Sequence, residues 1–325
     1  MLEAINTDGK SISNKQTFKG IDFLQLADYS TDQVLCLLDE AVELKRMQKQ
    51  GKPHPFLSGK VLGMIFEKSS TRTRVSFEVG MLQLGGHAIF LSSRDIQLGR
   101  GESISDTAKV LSRYIDGIMI RTFSHESVEE LASHATVPVI NGLTDLQHPT
   151  QVLADLLTIL EHKGKLAGLK LCYIGDGNNN MAHSLMEGAV KVGMNISIAS
   201  PVGYLPNEEI TEKAIQAGKE TGSAVTITND PYEAIKNADV VVTDVWTSMG
   251  QEEETAIRLK AFQGFQVNEE LCSHANNDFI FLHCLPAHRG EEVTSEIIDG
   301  PHSVVFDEAE NRLHAQKAIL KLLLS

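Results

Sequence analysis

Short apolar runs alternate with helical periodicity along most of the chain. The first helical pattern covers residues 31–50 and ends at Gly51, with an apolar face of Val34, Leu35, Leu38, Val42 and Leu44. Strand-like runs follow at 61–66, 87–91, 117–120 and 137–140, with helical stretches between them at 72–84, 103–114 and 126–134. This alternation predicts a parallel sheet with helices on its faces.

A second series of the same kind follows a long helix predicted over 150–162. Its strands are predicted at 169–174, 196–199, 224–228, 240–243 and 279–282, and its helices at 182–192, 207–221 and 269–274. An amphipathic helix is predicted over 308–324. The fold class is therefore α/β with two domains, each a mostly parallel sheet flanked by helices. We expect domains at 1–150 and 151–307, with the C-terminal helix at 308–325 returning to the first.

Composition limits the classes of partner. The chain has 325 residues, 42% of them hydrophobic, and a net charge of −14. Such an acidic chain is not expected to bind nucleic acid or an anionic membrane. Its four cysteines form no C-x-x-C pair and fit neither a zinc site nor a disulfide scaffold. We therefore expect a cytoplasmic protein without a metal.

The most informative polar segment is Ser69-Ser70-Thr71-Arg72-Thr73-Arg74, which lies between the strand at 61–66 and the next helix. A helix N-terminus attracts anions through its unpaired amides and its dipole, and arginine matches phosphate oxygens two at a time. A phosphate-bearing substrate is the hypothesis that follows, and a solvated basic face is the alternative.

Two further segments follow predicted strands or begin a helix. Arg121 ends one strand, where it could also be solvated. His148-Pro149-Thr150-Gln151 opens the long helix, with Pro149 suited to the first turn. A histidine at that position is disfavoured in its protonated form and can donate to a carbonyl oxygen. The alternative is that His148 simply caps its own helix.

His283-Cys284-Leu285-Pro286-Ala287-His288-Arg289 follows the last predicted strand. A cysteine between histidines suggests a nucleophile, and the alternative is a buried structural cysteine. A metal bound by His283 and His288 is a weaker hypothesis. Adjacent residues of one strand point to opposite faces, so we expect no metal site here.

Gly175-Asp176-Gly177-Asn178-Asn179-Asn180 is similar to half of a dinucleotide fingerprint. Asn180 replaces the third glycine, and the next strand ends without an acid, so no nicotinamide cofactor is expected. The asparagines instead suit a small polar ligand. Asp244, after another strand, suits a substrate ammonium group or a helix cap.

Together these motifs resemble the aspartate/ornithine carbamoyltransferase family over nearly the whole chain after Phe18. Residues 66–74 and 148–151 match the motifs of the superfamily. Residues 244–250 and 283–286 are similar to the ornithine branch, since the aspartate branch has proline after the histidine and a diamine branch lacks Ser248-Met249-Gly250. Thr150 departs from the cysteine often found at that position, which leaves the polarity beside Gln151 open.

The resemblance implies roles for individual residues. Arg72, Arg121, His148 and Cys284 would be catalytic. Carbamoyl phosphate would be bound by Ser70, Thr71, Arg72, Thr73, Gln97, Arg121, His148, Gln151, Cys284, Leu285 and Arg312, with Gln97 reaching a neighbouring subunit. Ornithine would be bound by Asn180, Asp244, Ser248 and Met249. The resemblance also implies a homotrimer or an assembly of trimers, and no cofactor.

The expected reaction transfers a carbamoyl group from carbamoyl phosphate to the side-chain amine of L-ornithine, which gives L-citrulline and phosphate. The amine is itself the nucleophile, so no covalent enzyme intermediate is needed. Three alternatives remain: a carbamoyl-phosphate-binding protein without turnover, a carbamoyltransferase for another amine, and a nicotinamide dehydrogenase.

Overall fold

The computed structural model describes residues 18, 20–94, 96–97 and 101–325. Two compact units are present, one running up to Leu157 and including Glu310–Ser325, the other formed by Thr158–Ala309. The chain passes between them inside a helix, after Leu157, whereas the sequence analysis divided it after residue 150. The helix is buried along nearly its whole length, so no turn or composition change marks the boundary.

The first unit begins with a 3-10 helix, Leu26–Asp28, and a long α-helix. Ser30 caps that helix: its hydroxyl accepts from the amide of Gln33, and the Gln33 side chain accepts from the amide of Ser30. The elements in order are α1 (Thr31–Lys49), β1 (Val61–Phe66), α2 (Thr71–Gln83), β2 (His87–Ser92), α3 (Ile104–Leu111), β3 (Gly117–Arg121), α4 (His125–His134), β4 (Val139–Leu143) and α5 (Pro149–Lys163).

The first sheet is parallel, with strand order β2-β1-β3-β4. Strands β1 and β3 are its buried centre, as continuous apolar runs in a parallel sheet require. The chain leaves β1 for β2 on one side and returns to β3 on the other. The carboxyl ends of β1 and β3, where Phe66 pairs with Arg121, therefore lie at a topological switch point, the usual place for a ligand.

The second unit repeats this architecture. Helix α5 ends in it and α12 begins in it. The elements are β5 (Lys170–Ile174), α6 (Asn180–Lys191), β6 (Asn195–Ala199), α7 (Glu208–Thr221), β7 (Val225–Thr228), α8 (Pro231–Ile235), β8 (Val240–Thr243), a 3-10 helix (Glu252–Glu254), α9 (Thr255–Ala261), α10 (Glu269–Cys272), β9 (Ile280–His283), α11 (Ser295–Ile298) and α12 (Val305–Leu324).

The second sheet is also parallel, with order β7-β6-β5-β8-β9. The chain reverses direction across the sheet between β5 and β8, so a second switch point lies at the carboxyl ends of these two strands. A buried cluster that includes Trp246, Phe262 and Phe281 forms much of the core of this unit. Both switch points therefore carry the polar segments singled out in the sequence.

The predicted fold class is confirmed, and the predicted strands lie within three residues of the observed ones. Helix α3 is shorter than predicted and ends at Leu111. Helices α8, α9 and α11 were not predicted, because they have four to seven residues and so show too little periodicity. No helix in the described residues is long and apolar enough to cross a bilayer.

Candidate active site

The N-terminus of α2 has the features typical of an anion site. Ser70 is its N-cap in an extended conformation, and the Ser70 hydroxyl accepts from the amide of Thr73 at 3.1 Å. Thr71 is exposed, Arg72 is partly buried, and Thr73 is fully buried. The sequence therefore places three hydroxyls, the first-turn amides and a guanidinium at the carboxyl end of β1.

Arg312, on α12, contacts this cluster from one side. Its Nη1 donates to Gln151 Oε1 at 2.7 Å, and its Nη2 donates to Thr73 Oγ1 at 2.9 Å. Gln151 Nε2 in turn donates to Asp155 Oδ1 at 2.8 Å. These contacts join α2, α5 and α12, elements that lie far apart in sequence. They orient the Gln151 amide and the planar guanidinium group together.

His148 lies buried at the start of α5, with Pro149 as the first helical residue. Burial, reinforced by the positive charges of Arg312, Arg121 and Arg72, holds the pKa of His148 well below its usual range. The imidazole is therefore neutral near pH 7 and can act as a hydrogen-bond donor to a carbonyl oxygen. The neutral form was predicted from the helix N-terminus, and burial and three arginines are causes that the sequence did not show.

Thr150 is fully buried, and its Oγ1 lies 3.5 Å from His148 Nδ1. This is a weak polar contact at best. The threonine thus packs inside the helix layer and keeps a hydroxyl next to His148, which answers the question that the sequence left open about polarity at this position.

A second cluster lies at the carboxyl ends of β8 and β9. Asp244 is buried, and its Oδ1 accepts from the Val245 amide at 2.8 Å and from Cys284 Sγ at 3.2 Å. Burial raises the pKa of Asp244, while His283, Cys284 and the Val245 amide oppose that shift. No ion pair to Asp244 occurs among the described residues, and a buried carboxylate of this kind is well suited to receive a substrate ammonium group.

The segment from Trp246 to Glu254 is anchored by Arg258 on α9. Arg258 Nη1 donates to Asp176 Oδ2 at 2.6 Å and to the Trp246 carbonyl at 3.0 Å. Its Nε donates to Glu254 Oε2 at 2.9 Å. Burial raises the pKa of Asp176, and Arg258 opposes that rise. Arg258 was not predicted from the sequence, because no spacing rule links it to Asp176 after β5.

Ser248 and Met249 form a turn closed by one residue. The Gln251 side chain accepts from the Ser248 amide at 3.2 Å, and the Gln251 amide donates to the Ser248 carbonyl at 3.0 Å. Met249 is 49% exposed. This turn presents its side chains to solvent while Arg258 holds its base.

The asparagines after β5 have different tasks. Asn179 caps α6 through the amide of Ala182, and its Nδ2 donates to the Tyr173 hydroxyl at 3.1 Å. Asn180 is the first residue of α6 and is partly exposed. Asn179 is thus occupied within the protein, whereas Asn178 is exposed and Asn180 partly exposed.

The expectation about His283 and Cys284 was wrong in its geometry. Strand β9 ends at His283, so strand alternation does not apply to Cys284. One donor atom from each of Asp244, His283 and Cys284 lies within 4.8 Å of the others. Both nitrogens of His283 are already engaged, however. Its Nδ1 accepts from the Leu285 amide at 2.9 Å, so the proton is on Nε2, 3.1 Å from Glu292 Oε1.

These contacts with the Leu285 amide and Glu292 give His283 a structural role. Leu285 has a left-handed backbone with φ of 58°, which is rare outside glycine. Its amide is held by His283, whose ring is fixed by the fully buried Glu292. His283 and Glu292 thus shape the turn that carries Cys284 and Leu285. His288 is exposed and pairs with Glu291 at 3.6 Å, and it does not share a cluster with His283.

Gln97 is exposed. The flanking Asp95 and residues 98–100 of its motif lie outside the described residues.

Two family models match this chain. The carbamoyl-P binding domain of aspartate/ornithine carbamoyltransferase matches residues 21–161, and the Asp/Orn binding domain matches residues 167–323. The chain belongs to the aspartate/ornithine carbamoyltransferase family. The resemblance stated from the motifs is thereby confirmed, and the two matched regions follow the two sheets.

Individual members of the family are similar over almost their whole length. Ornithine carbamoyltransferase of Anoxybacillus flavithermus is 65% identical over 306 residues, which is 94% of this chain and 97% of that protein. The Bacillus subtilis protein of the same name is 63% identical, covering 94% of each chain. The solved structure of ornithine carbamoyltransferase from Pyrococcus furiosus superimposes with a TM-score of 0.92 at 55% identity, covering 95% of this chain and 98% of that one.

Proposed function

We infer that this protein is an ornithine carbamoyltransferase, an enzyme that transfers the carbamoyl group of carbamoyl phosphate to the side-chain amine of L-ornithine. The products are L-citrulline and phosphate. Relatives that carry this name at more than 60% identity, over more than nine-tenths of both chains, support the assignment. The observation that carries it within the chain is the pair of complete polar clusters, one at each switch point.

We propose that the first cluster binds carbamoyl phosphate. Ser70, Thr71, Arg72 and Thr73 hold the phosphate at the start of α2. The carbamoyl group is held by Arg121, His148, Gln151 and Arg312. The support is the set of donors around the neutral His148 and the contacts of Arg312 with Thr73 and Gln151.

Charge develops on the carbonyl oxygen and on the leaving phosphate as the amine attacks. Arg72, Arg121 and His148 are the fixed donors for that charge in our proposal. A single well-placed donor of this kind contributes on the order of 3 kcal/mol to lowering the barrier. A neutral His148 can donate a hydrogen bond without adding a further positive charge to the site. A protonated His148 would be repelled by the three neighbouring arginines.

The second cluster is proposed to bind ornithine. Asp244, with Asn180, Ser248 and Met249, would take the amino-acid end, and Cys284 and Leu285 would lie beside the attacking amine. The support is the burial of Asp244 and its contact with Cys284. Free in water, the side-chain amine has a pKa near that of lysine, about 10.4, so only about one molecule in 2,500 is neutral at pH 7. Removal from water favours the neutral, nucleophilic form.

Cys284 orients the amine in this proposal and does not attack. Its Sγ donates to a buried carboxylate, an arrangement that does not favour a thiolate because a second negative charge would lie 3.2 Å away. No covalent enzyme intermediate is needed, since the amine adds to the carbonyl carbon, the tetrahedral oxyanion collapses as the bond to the phosphate oxygen breaks, and the proton lost by the amine balances the released phosphate.

We further propose a homotrimer or an assembly of trimers. Val75 and Leu82 on α2 and Ile89 on the edge strand β2 are 51%, 70% and 46% exposed, and a second copy would cover such exposed apolar side chains. The exposed Gln97 would then reach the carbamoyl phosphate of a neighbouring subunit. Sedimentation equilibrium should give three times the chain mass of 35.6 kDa, or a multiple of that. A monomer would overturn this proposal.

A cytoplasmic location is proposed from the four free cysteines, two of which are fully embedded in the core of the second unit. Fractionation of the source cells should recover the activity with soluble cytoplasmic markers.

The function is tested with a panel of amines at a fixed concentration of carbamoyl phosphate. L-ornithine should give a ureido product and equimolar phosphate, while N-acetylornithine and putrescine should react at least a hundredfold more slowly, because the first lacks the α-ammonium group that Asp244 would bind and the second lacks the α-carboxylate. Preference for either competitor would assign a different amine. Tight binding of carbamoyl phosphate without any product would identify a binding protein instead.

A further inference from the structure

Helix α12 carries a lysine that is fully buried. Lys317 Nζ donates to Gln48 Oε1 on α1 at 2.8 Å and to Gln83 Oε1, at the end of α2, at 2.9 Å. Its third contact is His54 Nε2, in the segment before β1, at 3.2 Å. His54 Nδ1 lies 2.8 Å from the Lys52 carbonyl, so Nδ1 carries the proton and Nε2 accepts. Lys317 thus has three acceptors on three separate segments.

Those three acceptors match the three N–H donors of a charged ammonium group. All three are neutral, and no carboxylate contacts Lys317 among the described residues. A neutral amine has only two N–H donors, so its formation would leave one buried acceptor without a partner, which is costly.

The charged groups described near Lys317 do not substitute for these three neutral acceptors. On α12 itself, burial lowers the pKa of His314 to about 3, with Lys317 and Lys45 adding to the shift, so His314 is neutral. Lys45 on α1 donates to Asn311, and Glu310 pairs with Lys49. Burial lowers the pKa of Lys317 to about 8, so its charge changes within an accessible range of pH.

The same helix carries Arg312, and side chains of α12 form hydrogen bonds with α2 near both of its ends. Arg312 reaches Thr73 in the first turn of α2, and Lys317 reaches Gln83 at its last residue. Between them, Gly80 allows close approach, since a Cβ at that position would lie 3.3 Å from Lys317 Cγ. The two contacts together fix the position of α12 along the helix whose N-terminus holds Ser70 to Thr73.

We propose that Lys317 is a positioning residue for the carbamoyl-phosphate site, whose charged form holds α12 where Arg312 meets Thr73 and Gln151. This inference rests on the carbamoyl-phosphate role proposed above for Arg312. Loss of the proton from Lys317 loosens α12 and weakens binding of the phosphate ligand, while ornithine affinity is spared.

The test measures binding of phosphonoacetamide, a non-hydrolysable analogue of carbamoyl phosphate, by calorimetry with the full-length protein at pH 7 and pH 9. Lys317→Arg keeps its charge at both values. Gln48→Met removes one acceptor and leaves two, which a neutral amine can satisfy. Lys321→Met is the matched control, one turn further on α12, where the lysine pairs with Glu40. Titration of the ligand itself is common to all proteins and cancels in the comparison.

We expect the wild type and Lys321→Met to lose about fivefold more affinity between pH 7 and pH 9 than Lys317→Arg or Gln48→Met, a loss equal to weakening one hydrogen bond. Ornithine KM should show no such difference between the proteins. Equal losses in all four proteins would overturn the inference, and so would an extra loss confined to ornithine.

Lys317→Arg and Gln48→Met remove the pH response for different reasons. Either variant alone therefore tests the inference if the other does not unfold cooperatively. Failure of the proposed function is separate: it would show as a wild type that makes no citrulline from carbamoyl phosphate and ornithine at pH 7.

Discussion

Replacing Arg258 with methionine tests how the second cluster is held. Arg258 and Asp176 are 6% and 2% exposed, and their contact is 2.6 Å. Removing one partner of a buried ion pair leaves the other uncompensated and costs roughly 3–5 kcal/mol. Glu254, whose side chain is 56% exposed, pairs with the same arginine one helical turn away, and such pairs contribute only about 0.3–0.5 kcal/mol. Loss of the Asp176 contact should therefore lower the free energy of unfolding far more than loss of the Glu254 contact.

Thermal unfolding followed by near-UV circular dichroism separates these losses. For a domain of this size 1 kcal/mol corresponds to about 2–4 °C, so Arg258→Met should lower the Tm of the second unit by about 10 °C and Glu254→Gln by about 1 °C. Adding Asp176→Asn to Arg258→Met should recover part of the loss, because the buried charge is then absent.

The same variant should affect one substrate. The Trp246 carbonyl loses its donor in Arg258→Met, so the turn at Ser248 and Met249 loses its anchor. The KM for ornithine should rise about tenfold, the loss of one hydrogen bond to a charged group, with the KM for carbamoyl phosphate within twofold. Arg258→Met melting within 2 °C of the wild type, or an equal rise in both KM values, would refute the reasoning.

Three further outcomes follow from the site and the core. Arg72→Ala should lower kcat/KM for carbamoyl phosphate by at least a hundredfold with little change in Tm, since Arg72 is only partly buried; near-normal kcat/KM in steady-state kinetics would remove its assigned role. Cys284→Ser should keep activity within about tenfold, because a hydroxyl can also donate to Asp244 at the cost of one altered hydrogen bond; complete inactivation, or a carbamoylated cysteine in mass spectra of the wild type, would indicate a nucleophile. The pKa of His314 is about 3 when folded and about 6.5 when unfolded, so the unfolded chain binds more protons between these values and stability falls as pH drops below about 6.5. The free energy of unfolding in urea should fall by about 2 kcal/mol more for the wild type than for His314→Leu between pH 7 and pH 5. A difference between the two proteins that does not depend on pH would contradict this.

The central strands could be read from the sequence because a parallel sheet buries both of their faces. Val61–Phe66 and Val240–Thr243 are continuous apolar runs, and both were predicted with the bounds that the structure gives. The division between units could not be read, because α5 is apolar and continuous across Leu157.

The candidate site could be predicted where one motif provides its own geometry. Ser70 caps the helix that carries Thr71, Arg72 and Thr73, so a single segment presents the candidate anion site. Arg258 could not be found, because its partner Asp176 lies in another segment and only the fold joins them. Arg312 was named from the family resemblance, and its contact with Thr73 likewise depends on the return of α12.

The reasoning about His283 failed for a local physical cause. Strand alternation holds only within a strand, and β9 ends at that residue. The left-handed Leu285 then turns the chain so that Cys284 meets Asp244, while His283 is held by Glu292. A helical or strand period carries no information beyond the last residue of its element.

The most direct test of the central claim follows carbamoyl phosphate labelled with 13C in its carbonyl and 18O in its bridging oxygen. Direct attack of the ornithine amine on the carbonyl carbon predicts that 13C appears in the ureido carbon of citrulline, one for one with phosphate that retains the 18O. Phosphate released without labelled citrulline, or 18O found outside the phosphate, would contradict the account.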